Sequence, residues 1–407
     1  MFLVSVLSRM LGRFSWWLKR VVSIVIYEGL TGAFDRVRYP KPFVRHRPPP
    51  APSGPVLILG GDSEARDHVS QAILRAGLTV ATSGKDGHNE RVILNPDIGD
   101  LDSMCGKDLV VLFEQEDPDP LYLHLIIDKC GAVLCDNIST LGKLQKLGLP
   151  FERAFAFKNR GTLREGMSRY LLSVRSIHLD EYEWTEIPDL LDLPRSPRLC
   201  LSLPEAVERR GRFNSTYPDK FKIVDGLRCD PGWVGAAASY RAIAQACLVQ
   251  QVAPVLICED DVDLPSDFDE RIESILSYLE ERQWDVFSGL LTDAGPDYVV
   301  TRIDYYGDNT FIHLNRCVGL VCGIYNTVAL NRIANWSEET RLPIDRYLEN
   351  SDGLRVVTTL PFLADHCDDL TSTVWRFRNR RYRNVIRRSE ARLAQLVQDY
   401  ERRVLHG

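Results

Sequence analysis

Apolar and polar positions along the first 26 residues follow a helical period. At about 100° per residue, Ser5, Ser8, Arg9, Arg13, Lys19, Arg20 and Ser23 share one arc of roughly 140°. Leu3, Val4, Leu7, Met10, Leu11, Phe14, Trp17, Leu18, Val21, Val22 and Val25 fill the opposite side, with Phe2, Trp16 and Ile26 as exceptions. A spanning helix needs about 20 apolar residues with few charges, and the four cations break that requirement. A signal peptide needs an uninterrupted apolar stretch and a small-residue cleavage site, and neither is clear. A cationic amphipathic helix over 1–30 suits the bilayer interface, or it packs on the protein's own core or a second subunit. Residues 31–55, proline-rich from Tyr39, read as an extended linker.

From residue 56 the period shortens. Val56-Leu57-Ile58-Leu59-Gly60, Leu78 to Ala81, Leu109 to Phe113 and Ala132 to Cys135 are short apolar runs, and helical stretches at about 64–76 and 120–129 lie between them. Strands alternating with helices predict a parallel α/β domain over 56–177. The Gly60-Gly61-Asp62-Ser63 turn could cradle a phosphate at a helix N-terminus, but it is not G-x-G-x-x-G. Residues 178–196, rich in Asp, Glu and Pro, read as a connector. A second α/β domain opens at 197, with a strand in 197–203, a segment at 221–226, a helix at 232–249 and an apolar strand at 254–258. The expected fold is therefore α/β with two Rossmann-like domains, followed by a basic helical tail over 376–407.

Composition narrows the class. The chain has 407 residues, net charge −6 and ten cysteines. Two domains are the default at this length. The acidic balance excludes a nucleic-acid binder acting through its overall charge. The cysteines form no C-x-x-C pair and mostly adjoin apolar residues, which suits buried reduced thiols in a cytosolic protein. Residues 371–389 carry Arg376, Arg378, Arg380, Arg381, Arg383, Arg387 and Arg388 with no acid, interleaved with Trp375, Phe377 and Tyr382. Such a segment suits phosphates of anionic lipid, or a helix paired with acidic neighbours.

The strand at 254–258 ends in Glu259-Asp260-Asp261-Val262-Asp263. Carboxylates at the carboxyl end of a strand lie where open α/β sheets bind ligands. Like charges this close invite a cation, and oxygen ligands suit magnesium or manganese. If the strand continues, alternation puts Glu259, Asp261 and Asp263 on one side and Asp260 on the other. Taken alone, the cluster reads equally as a solvated acidic turn.

The order of motifs around it resembles glycosyltransferase family 25, the group of lipooligosaccharide and collagen galactosyltransferases. Leu203 with Arg209-Arg210 is similar to the family's N-L-x-x-x-x-x-R, and Val224-Asp225-Gly226 to its A-x-D-G. Gly232, Gly235 and Ser239 are similar to G-x-x-G-C-x-x-S-H, and Glu259-Asp260-Asp261 to L-x-x-E-D-D. Further segments at 284–289, 318–325, 343–345 and 361–372 follow in family order. The resemblance covers about 199–375. Ser202, Ala236, Tyr240 and His366 stand where the family pattern has asparagine, cysteine, histidine and glutamine. More faintly, Phe113-Glu114-Gln115, Leu121–Ile127 and Asp136–Leu141 resemble Rossmann-like halves of some bacterial glycosyltransferases.

The resemblance implies a GT-A type fold, a UDP-sugar donor, Mn2+ (or Mg2+) and hexosyl transfer with inversion, galactose favoured. The metal ligands would be Asp261, Asp263 and His366. The donor would lie against Leu203, Glu205, Arg209, Arg210, Asp225, Gly226, Ser239, Tyr240, Glu259 and Asp260. Inversion needs a general base; Asp345, at a helix start two residues after Pro343, is the first candidate and Asp293 the second. Implied partners are a glycan or lipid-linked acceptor and an anionic membrane surface, with no nucleic acid and an oligomer left open. The expected place is the cytoplasmic face of a membrane, in cell-surface polysaccharide synthesis. A non-catalytic scaffold that kept the fold is the competing reading.

Overall fold

A computed structural model describes residues 52, 54–81, 90–113, 118–174, 176–179, 182, 190, 196–370, 373 and 382–406. The amphipathic segment 1–30, the linker before residue 52 and most of the arginine-rich stretch at 371–381 lie outside these residues.

The chain is α/β, built on a six-stranded parallel sheet and an eight-stranded mixed sheet. The first sheet contains β1 (Val56–Gly60), β2 (Val80–Ala81), β3 (Glu90–Leu94), β4 (Leu109–Leu112), β5 (Ala132–Cys135) and β6 (Ala154–Ala156), in the spatial order β2-β1-β3-β4-β5-β6. Its helices are α1 (Ser63–Arg75), α2 (Ile98–Ser103), α3 (Pro120–Lys129), α4 (Ile138–Lys146) and α5 (Leu163–Ser173). Period-two alternation divides its core. Leu109, Val111, Ala132 and Leu134 pack on one face with α1 and α5. Val110, Leu112, Val133 and Cys135 pack on the other with α3 and α4. Both faces are covered, which is why the strands are continuous apolar runs. Gly60 has φ +70°, and a Cβ there would lie 2.5 Å from Leu94 O, so the turn after β1 requires glycine.

The second sheet begins with β7 (Arg198–Ser202), α6 (Val207–Thr216), β8 (Lys222–Asp225), α7 (Gly232–Val249) and β9 (Val255–Glu259). β8 and β9 lie parallel to β7 on its two sides. After β10 (Val262–Asp263) and α8 (Phe268–Glu280) come β11 (Val286–Ser288), β12 (Val300–Tyr306), β13 (Asn309–Leu314) and β14 (Cys322–Tyr325). α9 (Thr327–Ala334), α10 (Ile344–Glu349), β15 (Val356–Leu360) and β16 (Asp365–His366) follow. The order is β12-β13-β15-β11-β14-β9-β7-β8, with β14 antiparallel to both neighbours. This half is thus mixed, with antiparallel strands that the periodicity alone did not separate from parallel ones. β10 and β16 form a separate antiparallel ribbon in which Val262 faces His366.

α11 (Tyr382–His406) buries Ile386, Leu393 and Val397 in the core of the second sheet. Their spacing makes one helical stripe. The expected basic helical tail is thus, from Tyr382 onward, a helix docked on that core through its apolar stripe. Among the described residues no helix is long and apolar enough to cross a membrane. Nine of the ten cysteines are buried, Cys105 is exposed, and all are free.

Candidate active site at the carboxyl edge of the second sheet

The chain leaves β7 toward β8 on one side and then returns to β9 on the other. A reversal of this kind opens a crevice at the strands' carboxyl ends, where α/β sheets bind ligands. The register pairs Leu201 with Glu259, so Ser202 and Asp260 emerge side by side at this crevice.

β9 stops at Glu259, and a turn at Asp260 and Asp261 precedes β10. The strict alternation expected over 259–263 therefore fails: the turn lets Asp260 and Asp261 face the same cation, Arg209 of α6. Arg209 Nη2 contacts Asp260 Oδ1 and lies 2.8 Å from Asp261 Oδ2. Ser202 Oγ donates to Asp260 Oδ2 at 2.7 Å. From the ribbon, His366 Nε2 reaches Asp261 Oδ2 at 3.2 Å, and its Nδ1 lies 3.4 Å from Asp368 Oδ1. Cys367 N donates to Asp261 O, which locks the ribbon beside the turn.

Burial and proximity set the protonation of this group. Burial and then the charge of Asp261 push Glu259 up to about 8, so it keeps its proton at neutral pH. Burial alone would raise Asp261, but Arg209 and His366 hold it well below the usual carboxylate range. Burial would lower His366, but Asp261 reverses this and pushes it up to about 9. Asp260 is raised, chiefly by burial. Three acids thus share two cations, and Glu259 is the acid left neutral.

Two acceptor oxygens here lack partners. Asp261 Oδ1 and Glu205 Oε2 are both shielded from water and make no hydrogen bond, and Arg209 Nε is likewise unpaired. An orphaned buried oxygen asks for an ion or a donor. Asp261 could supply one oxygen to a manganese ion and His366 one nitrogen once its imidazole gives up its proton, with phosphates and water completing the shell. Among the described residues no three His, Cys, Asp or Glu side chains converge as a closed protein cage. Asp263 turns instead to Arg383 and to Arg212, at 3.7 Å.

The other expected residues divide into two sets. Arg210 pairs with Asp225 at the carboxyl end of β8, and Gly226 N donates to Ser202 O at 2.8 Å, so these line the same edge. Leu203 and Glu205 form the entry to α6 next to it. Ser239 and Tyr240 are not brought to the crevice surface. Both are 0% exposed. Ser239 Oγ accepts from Leu227 N and donates to Gly235 O, tying α7 to the loop before it. Tyr240 Oη donates to Leu320 O at 2.7 Å.

Asp345 lies in the first turn of α10 and accepts from Arg346 N at 2.8 Å. Burial raises its carboxyl. α10 packs against α7 and α9. Asp293 is exposed, and its charge adds to those of Glu349 and Asp345 in favouring the charged form of Arg346.

Sequence reasoning missed the contribution of the first sheet. Lys158 Nζ lies 3.9 Å from Asp225 Oδ2, and Arg169 donates to Gly226 O. These residues stand 57 to 67 positions from their partners, so no spacing rule joins them. Arg383, which clamps Asp263 and donates to His366 O, was visible only as part of a basic run.

Fold and site together define an α/β protein with a charge-balanced acidic cluster at a strand-order reversal. No family model matches the chain, and no curated protein matches it.

Proposed function

We propose that the chain is a metal-dependent glycosyltransferase that moves a hexose from a UDP-sugar to a glycan or glycolipid acceptor. One observation carries this reading: Asp261, at the carboxyl end of β9 and beside the strand-order reversal, keeps a buried unpartnered oxygen and faces His366 across a ribbon. The family 25 order of motifs around the cluster supports the same reading. So does the sheet, in which parallel β7, β8 and β9 are followed by antiparallel β14, compatible with a GT-A type domain next to a Rossmann-like one.

In this reading Asp261 and His366 would hold Mn2+ or Mg2+, and such an ion would supply Lewis-acid stabilisation of the departing nucleoside diphosphate. Arg209 or Arg210 would give charge-assisted hydrogen bonds to the diphosphate, and Asp225 would contact the nucleoside. Asp345, its carboxyl raised by burial, takes the proton from the acceptor hydroxyl as general base, so that attack inverts the anomeric carbon. A galactose donor and action at the inner face of a membrane remain parts of this proposal. The amphipathic N-terminal segment would supply the membrane contact.

A panel of UDP-sugars, assayed for hydrolysis and transfer with and without manganese, tests the reading. Turnover that needs the metal and is lost in Asp261→Asn is expected. Absence of both turnover and metal-dependent nucleotide binding across the panel overturns it. One observation favours the competing scaffold reading: Arg209 already pairs both Asp260 and Asp261 from within the protein. A scaffold would retain its cellular role in Asp261→Asn.

A further inference from the structure

The carboxyl ends of β5 and β6 in the first sheet face those of β7 and β8 in the second, and a cleft of about 420 Å³ lies between them. The two walls are held together. Gln145 Nε2 donates to Glu205 O at 2.8 Å, and Arg228 donates to Phe151 O at 2.7 Å. The Arg228 guanidinium stacks 3.8 Å from the centre of the Phe155 ring. The volume is that of a small-molecule site.

The lining of the cleft is polar in a specific way. Lys158 and Arg169 face Asp136 and Glu165, and the Arg210–Asp225 ion pair closes the side shared with the acidic cluster. Two cations against two carboxylates leave no net charge in the inner cleft, so a polyanion gains little there. Phe157 and Tyr182 add aromatic surface. Glu165, in the first turn of α5, has a carboxylate oxygen, Oε2, that is shielded from water and lacks any hydrogen-bond partner. A buried acceptor left open costs about 1–3 kcal/mol unless a donor fills it.

We propose that this cleft binds a carbohydrate, with the first sheet supplying one wall. A sugar carries hydroxyls that both donate and accept, which matches interleaved carboxylates and cations without demanding a net charge. One of its hydroxyls would donate to the Glu165 carboxylate where it lines the cleft, and its apolar ring face would lie on the half-buried Tyr182. The cleft adjoins the acidic cluster through Asp225, whose partner in the β7–β8 register is Ser202, the residue bonded to Asp260. That adjacency makes the bound sugar the acceptor, an assignment that rests on the glycosyltransferase reading; the binding itself does not.

Saturation-transfer NMR on the full chain, with a panel of methyl hexosides and disaccharides and no nucleotide, tests the inference. At least one glycoside is expected to give a signal with the wild type, weakened about tenfold or more in Glu165→Gln, the loss of one charge-assisted hydrogen bond. Lys158→Met, at a side chain 58% exposed, provides a second variant that does not threaten folding and should weaken the same signal. No glycoside signal, or a signal indifferent to both substitutions, overturns the inference. So does inorganic pyrophosphate proving to be the ligand whose binding both substitutions abolish. A chain that binds glycosides through Glu165 but turns over no UDP-sugar keeps this inference and loses the enzymatic reading. One that turns over UDP-sugars with glycoside binding indifferent to Glu165 does the reverse.

Discussion

His366 Nε2 lies 3.2 Å from Asp261 Oδ2, with the two residues brought together by a two-stranded ribbon although 105 positions separate them. The pair makes the fold's stability depend on pH. His366 is raised from 6.5 to about 9, so its contribution is fully present below 6.5 and is lost as pH rises through about 9. Asp261 is lowered, so its contribution is present above the ordinary carboxylate range and is lost only on strong acidification. Glu259 adds a loss that begins at lower pH: it is raised from 4.5 to about 8, so its contribution is fully present below 4.5 and is lost as pH rises through about 8. Thermal unfolding in the presence of a chelator should show a midpoint that falls from pH 6 to pH 9, with a shallower fall in His366→Gln. Equal slopes for the two proteins would show that the pair carries no such linkage.

Arg209 is the hinge of the cluster's charge balance. It is 8% exposed and contacts both Asp260 and Asp261. Removing one partner of a buried ion pair leaves the other charge without compensation, typically at a cost of about 3–5 kcal/mol. Arg209→Met should therefore destabilise the protein by about that amount in urea unfolding at pH 7. A loss below about 1 kcal/mol would mean that water or repacking replaces the guanidinium, contrary to the general cost of such changes.

Much of the scaffold was legible because its strands are buried on both faces. The apolar runs at 56–60 and 132–135 are β1 and β5, and the stretches at 120–129 and 232–249 are α3 and α7. β3 escaped because it opens on the polar pair Glu90-Arg91, and the β12–β13 hairpin because β12 leaves Thr301, Arg302, Tyr305 and Tyr306 exposed. At the site, the acidic run could be read, but its geometry could not. A turn at Asp260 replaced strand alternation, and Arg383 drew Asp263 away. The Lys158 and Arg169 contacts across the cleft depend on how two sheets meet, which periodicity within either sheet does not encode.

Asp345 offers a kinetic test of the proposed base. A carboxylate whose pKa is raised by burial is better matched to taking a proton near neutrality than an exposed one. Asp345→Asn should lower kcat by about 10²- to 10⁴-fold, the usual contribution of general-base catalysis, while UDP binding by calorimetry persists. If UDP affinity collapses in parallel with kcat, Asp345 positions the donor and another group takes the proton.

Tyr240 separates a structural role from a donor-contacting one. Its motif position suggests the donor, yet it is 0% exposed, its ring lies 6.5 Å from Tyr325 and its hydroxyl donates to Leu320 O. That carbonyl belongs to the segment leading into β14, so the bond fixes the strand beside β9. Tyr240→Phe removes one buried hydrogen bond and leaves a carbonyl unsatisfied, which should cost about 1–3 kcal/mol of stability. Because the ring stays in place, KM for the donor should change less than about twofold, well under the tenfold that 1.4 kcal/mol of lost binding would give. A donor KM that rises tenfold with stability unchanged would put Tyr240 in contact with the nucleotide sugar and require α7 to move when donor binds.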